Sequence, residues 1–313
     1  MIAPIPLPSN RPPERFYRGG ARITAFRGEQ PGSDREPEDW IGSTTTLAGE
    51  TALGLTTLPD GRALVEAICA DPVGWLGQPH LDRFGCDPLL LVKLLDAGER
   101  LPVHAHPSSS FARTHLGRAH GKAEAWFILE GGVVHLGLRE PITMPRLAAL
   151  VVAQDTGGML DLLHRVEVEP GDVVFVPPGV LHAIGAGVFL VELQEPEDLS
   201  ILLEWEGFAV DGERDGHLGL GFDTALAAVE LGASDVAALV GPVLPPAADR
   251  YFRFERIAVD GTVTLDAGFS IAIVTDGAVS LGPRGSTVVI PHSAGSLRVQ
   301  GWGEVVVCRP PAA

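Results

Sequence analysis

The chain has 313 residues, with 23 Lys and Arg against 40 Asp and Glu, and a formal net charge of −17. A surface this acidic repels polyphosphate backbones and anionic lipid, and no basic run offsets it locally, so neither nucleic acid nor a membrane is an expected partner. With 45% hydrophobic and 20% charged residues the composition is that of a folded protein, and at about 150 residues per domain the length predicts two domains or one large one.

The first sixteen residues, MIAPIPLPSNRPPERF, contain five prolines and no basic-then-apolar order, so they do not read as a signal peptide. No apolar stretch approaches the roughly 20 residues of a membrane helix. Cys69, Cys86 and Cys308 are odd in number and form no CxxC pair, which fits a reducing cytoplasm. Residues 11–37 are charged and rich in Pro and Gly and predict an irregular lead-in. Beyond them, 38 Gly and 26 Pro punctuate short runs of Val, Ile and Leu, the pattern of many short strands joined by turns. Predicted strands lie at 88–96, 125–129, 133–138, 172–176, 188–193 and 200–204, then at 252–259, 270–274 and 305–308. Predicted helices are fewer, at 63–70, 146–153, 158–163 and 224–230. Residues 232–249, ending GPVLPPAAD, read as a linker, dividing the chain into a larger unit, 1–240, and a smaller all-β unit, 241–313.

Three segments of the first unit bear chemistry. In GERLPVHAH, residues 98–106, His104 and His106 are two apart, so on a strand both project from one face and can converge on one ion. Eighteen residues beyond His106 comes GKAEAWFILEGG, where Glu124 opens a strand that Gly131 closes. GDVVFVPPGVLH, residues 171–182, is a glycine turn, an apolar strand, the Pro178-Gly179 turn and then His182. Three imidazoles and a carboxylate suit a divalent ion such as zinc, with iron, manganese or nickel chemically open as well. His80, His115, His120, His135, His164 and His292 share no such spacing and read as hydrogen-bonded core or surface residues. Only two of the 23 basic residues are lysines, Lys93 and Lys122, and both fall in motif strands.

These spacings resemble the two motifs of the cupin superfamily, with two departures. Seventeen residues separate His106 from Glu124 where the family has three or four, and Ala186 stands at the usual final Asn of the second motif. The flanking segments narrow the likeness. KLLDA, GKAEAW, PGDVVFVPPGVLHA and ALVEAICADPVGWLG resemble the short bacterial form of type I mannose-6-phosphate isomerase over residues 15–230, and YFRFERIAV and GSTVVIPHSAG extend it more faintly beyond. The resemblance implies a mainly β fold of two cupin (jelly-roll) barrels with a few short helices. The second barrel lacks the histidines, so it is expected to be metal-free.

The resemblance also implies a metal-dependent enzyme that interconverts mannose 6-phosphate and fructose 6-phosphate through a cis-enediol. His106, Glu124 and His182 would be zinc ligands, joined by His104 where many members carry Gln. Lys122 would be the proton shuttle, with Lys93, Ser108, Glu192 and His217 around the sugar. Two further departures bear on the substrate. Leu202 stands where the family has an arginine, and Ser108 and Ser109 replace an acidic pair. Arg113, Arg118 or Arg214 are expected to substitute for the missing cation. The alternatives are an isomerase of another, unphosphorylated sugar, or a non-catalytic sugar-binding cupin. A small-molecule partner is expected in each case, with a homodimer left open.

Overall fold

A computed structural model describes residues 2–313 of the chain. One antiparallel sheet has six strands, in spatial order Val240–Gly241, Val173–Val176, Glu124–Glu130, Phe189–Gln194, Leu91–Asp96 and Glu38–Ile41. A second has five, in the order Ile201–Leu202, His104–Ala105, His182–Ile184, Gly132–Leu138 and Leu163–Val168. The two pack face to face: Leu95, Trp126, Ile128, Val174, Val176 and Leu190 of the first share one core with Val134, Leu136 and Ile184 of the second.

A strand buried on both faces reads as a nearly continuous apolar run, and Leu91–Asp96, LVKLLD, is buried throughout. Leu95 points into the sandwich, while Val92 and Leu94 point the other way. There they join Val191 and Leu193 against Ile271, Ile273, Val306 and Cys308 of a third sheet. That sheet runs Ile5–Pro6, Thr287–Ile290, Ser270–Val279, Leu297–Arg309, Arg253–Leu265, with Gly282–Pro283 attached to Ser270–Val279. Its other face buries Val259, Leu265, Ala272, Val274, Val288, Val299, Val305 and Val307 in one cluster. All of these residues come from the one sheet, so that face curls around its own core.

The mainly β architecture with short helices is the expected one, and most strands form within a few residues of their predicted places. The differences have local causes. The lead-in contains a helix, Ala21–Arg27, bracketed by Gly20 and Gly28 at φ 110° and 68°. At seven residues it is too short to show a period. Helices Pro72–Leu76 and Gln78–Phe84 follow the predicted one and begin on or next to proline, which is pre-set for the first helical turn. The predicted linker contributes an edge strand, Val240–Gly241, to the first sheet. The amino-terminal Ile5 pairs with Val289 of the third sheet, a union of chain ends that composition does not signal. Among the described residues no helix is long and apolar enough to cross a membrane.

Candidate metal centre and active-site cavity

The strand register assembles the site. His104 lies directly opposite His182, and Leu202 lies opposite His104 on its other side. Across the sandwich Trp126 faces Glu192, Glu192 faces Lys93, and Lys93 faces Trp40. Alternation along each strand then puts Glu124, Trp126, Glu192, Lys93, Glu38 and Trp40 on the inner face.

Each histidine is oriented by the backbone. Nδ1 of His104, His106 and His182 lies 2.8, 2.7 and 2.9 Å from the carbonyls of Pro102, Leu199 and Val180. A carbonyl only accepts, so each Nδ1 carries the proton and each Nε2 is left with a lone pair. The three imidazoles are buried, with candidate ligand atoms within 4.8 Å of one another. Glu124 joins them, its Oε2 3.1 Å from Nε2 of His106 and its Oε1 3.2 Å from Nε2 of His182.

Lone pairs therefore face carboxylate oxygens with no proton between them, an arrangement that calls for a cation. Lys122 meets it on one side, its Nζ donating to Glu124 Oε2 at 2.8 Å and to His106 Nε2 at 3.1 Å. On the other side Nε2 of His182 is fully buried and has no hydrogen-bond partner. Such an orphaned atom is costly unless a ligand satisfies it. Three Nε2 donors, a carboxylate and backbone-held Nδ1 protons fit a divalent ion.

The electrostatics agree. Burial, with the Lys122 ammonium beside it, pushes His106 down to about 4. Burial and the neighbouring imidazoles hold His104 well below its ordinary value. Burial alone would raise Glu124, but Lys122 and His106 outweigh it and hold this carboxyl well below the usual range. His104 and His106 are thus neutral and the carboxylate charged at neutral pH, as metal binding requires.

The GK-x-E motif acquires a mechanical reason here. The insertion between His106 and Glu124 forms a short helix, Ser109–Phe111, and a π-helical turn, Ala112–Leu116. It returns to the strand by passing Gly121 against its own beginning. A Cβ on Gly121 would sit 2.4 Å from the Pro107 carbonyl oxygen. Lys122 N donates to that same oxygen at 3.1 Å, which places the ammonium.

A cavity opens beside the cluster, bordered by His104, Lys122, Glu124, Lys93, Glu192 and Leu202. Lys93 is held by Glu38 at 3.3 Å and Glu192 at 3.1 Å, over the Trp40 ring. Burial raises Glu192, and Lys93 and Lys122 only partly oppose it. Four titratable lining residues have no counterpart among the expected ones: Arg15, Tyr17, Glu38 and Asp198. Glu38 accepts from Tyr17 Oη at 2.6 Å, Trp40 Nε1 at 2.7 Å and Arg15 Nε at 3.1 Å. Its spacing to Trp40 in EDWI, two apart on a strand, was the available signal. Arg15 and Tyr17 come from the irregular lead-in, where no period points to them.

Two of the expected substrate-binding residues lie apart from this cavity's lining. Ser108 Oγ pairs with Ser110 Oγ and caps the inserted helix by accepting from Phe111 N. His217 Nδ1 accepts from Gly221 N, and its ring meets Phe222 edge-on. The three arginines expected to replace the missing cation are engaged elsewhere: Arg113 with the Ala119 carbonyl, Arg118 with Glu197 and Arg214 with Asp215.

Known proteins share this arrangement of sheets and sequence. Mannose-6-phosphate isomerase ManA of Bacillus subtilis is 26% identical over 255 residues, covering 74% of this chain and 76% of that protein. The mannose-6-phosphate isomerase of Streptococcus mutans is 36% identical over 134 residues, 41% of each. This chain is similar in sequence to these mannose-6-phosphate isomerases. The crystal structure of the Bacillus subtilis mannose 6-phosphate isomerase superimposes with a TM-score of 0.77 at 22% identity, over 98% of this chain and all of the other. The cupin fold expected from the motifs is therefore the fold of these isomerases. No protein-family model matches the chain.

Proposed function

We propose that the chain is a metal-dependent aldose–ketose isomerase that interconverts mannose 6-phosphate and fructose 6-phosphate through a cis-enediol. The observation that carries this reading is the meeting of His104, His106, His182 and Glu124 beside Lys122, with His104, Glu124 and Lys122 on the wall of one cavity. The isomerase relatives, two of which carry this substrate in their names, support it.

His104, His106, Glu124 and His182 would hold the ion, zinc for this donor set. When bound, a divalent ion supplies Lewis-acid stabilisation of the negative charge that develops on oxygen as a proton leaves the adjacent carbon. The chain's own groups do the rest. Lys122 Nζ lies at the cluster and serves as the proton shuttle. Lys93 Nζ, fixed between two carboxylates, donates to sugar hydroxyls. Glu192 Oε2, 3.1 Å from Lys93 Nζ, accepts from them. Residues 1–240 form the catalytic unit, and 241–313 a metal-free one that backs its sheet. Three free cysteines accord with a cytoplasmic setting.

The test is direct. Metal-loaded protein mixed with mannose 6-phosphate in D2O should form fructose 6-phosphate that carries solvent deuterium at C1, read by NMR. No fructose 6-phosphate would remove the substrate assignment. A second reading, an unphosphorylated sugar, is favoured by Leu202 on the cavity wall. A panel of free aldoses and ketoses tests it.

A further inference from the structure

We propose that Arg15 recognises the phosphate of the substrate, the anionic group remote from the reacting carbons. This assignment rests on the isomerase reading above and decides between its two substrate classes. Leu202, paired with His104, lines the cavity with an aliphatic side chain, so the cation must come from another element. Three cations line the cavity: Arg15, Lys93 and Lys122. Lys122 is committed to Glu124 and His106. Lys93 is enclosed by Glu38, Glu192 and Trp40.

Arg15 differs in position and in what it leaves free. It borders both the inner cavity and an adjoining outer cleft, and Phe16, Asp198, Ser200 and Leu202 are shared by the two. A sugar with its carbonyl end at the histidines therefore passes Arg15 where it leaves the inner cavity. Nε and Nη2 of Arg15 both lie 3.1 Å from Glu38 Oε1, and Nη2 lies a loose 3.7 Å from Asp198. Among the described residues Nη1 has no hydrogen-bond partner, yet it is not one of the fully buried unpaired atoms, so it keeps contact with solvent.

Glu38 thus acts as a positioning residue. It fixes one edge of the guanidinium and leaves the other for an anion. The planar fork suits phosphate oxygens better than an ammonium does. The Ser200 hydroxyl, on both the cavity and the cleft, is a second donor for the same group. Asp198 lies too far for a hydrogen bond to Arg15 and is held on its other oxygen by Ala48 N at 3.2 Å.

The experiment compares Arg15→Ala and Arg15→Lys with wild type on mannose 6-phosphate and on mannose, by steady-state kinetics and by calorimetric titration of metal-loaded protein. A hydrogen-bonded charge contact is worth about 10- to 150-fold. Arg15→Ala should therefore lower kcat/KM for mannose 6-phosphate by about 100-fold, mainly through KM, and leave mannose within about twofold. Arg15→Lys keeps the charge without the fork and should lose about tenfold on the phosphate alone. Equal losses on both sugars, or no loss on the phosphate, overturn the proposal. If Arg15→Ala does not fold because Glu38 is stranded, Arg15→Lys decides. If wild type turns over no sugar, the isomerase reading fails separately and the titrations still judge Arg15. Wild type must then prefer mannose 6-phosphate and Arg15→Lys must lose that preference; equal binding of the two sugars by wild type overturns the assignment.

Discussion

Acid should unfold the metal-free protein through the histidines proposed to hold the ion, and His106 lets the size of the effect be worked out. Its imidazole is 1% exposed, and burial together with Lys122 pushes it to about 4, against about 6.5 for an imidazole in the unfolded chain. Between those two values the unfolded chain binds a proton that the native chain does not. Native stability therefore falls as the pH falls. The contribution is fully present above pH 6.5 and gone once the pH has passed through about 4. A gap of about 2.5 units at about 1.36 kcal/mol per unit amounts to roughly 3 kcal/mol, a large share of the 5–15 kcal/mol typical of a folded domain. His104, lowered for the same reason, adds in the same direction. The assay is urea unfolding of chelator-treated wild type and His106→Gln between pH 7.5 and 4. Wild type should lose about 3 kcal/mol more than the variant over that range. Parallel losses in the two proteins would refute the buried, unprotonated imidazole on which the metal centre depends.

Two further outcomes follow from the geometry. Lys122→Met should retain the divalent ion, because Lys122 is not a ligand, yet lower kcat on mannose 6-phosphate by about 10²- to 10⁴-fold, the usual worth of a positioned proton-transfer group. Metal analysis beside the rate measurement checks both halves. Gly121→Ala should cost about 1–3 kcal/mol, since its methyl would collide with the Pro107 carbonyl and move the insertion. Thermal unfolding reads the cost, and a fall in kcat at unchanged metal content reads the displaced Lys122.

Much of the site was legible because its residues sit on strands. A two-residue spacing fixes a shared face, so His104 with His106, and Lys122 with Glu124, could be paired from the chain alone. The glycine turns bounding each strand made the segments recognisable. Position across the sheets was not legible. Glu192, Lys93 and Trp40 meet because three strands pair in one register, and register depends on the packed sandwich. Arg15 and Tyr17 reach the cavity from a lead-in with no period, held there by hydrogen bonds to a carboxylate 21–23 residues away. Sequence separation hides such contacts. Ser108 and His217 show the converse: both lie in motif-like contexts, while in the structure their side chains are occupied with local turns. The third sheet was visible as strands, but its union with Ile5–Pro6 was not, because a two-residue strand leaves no pattern.

What His104, His106, Glu124 and His182 are proposed to receive is one divalent ion. The most direct measurement strips the protein with chelator, adds back zinc in fractions of an equivalent and follows the conversion of mannose 6-phosphate to fructose 6-phosphate. Activity should rise in proportion to zinc and level off at one equivalent per chain, with His182→Ala silent throughout. Full activity in the stripped protein, or one tightly bound equivalent with no conversion, would contradict it.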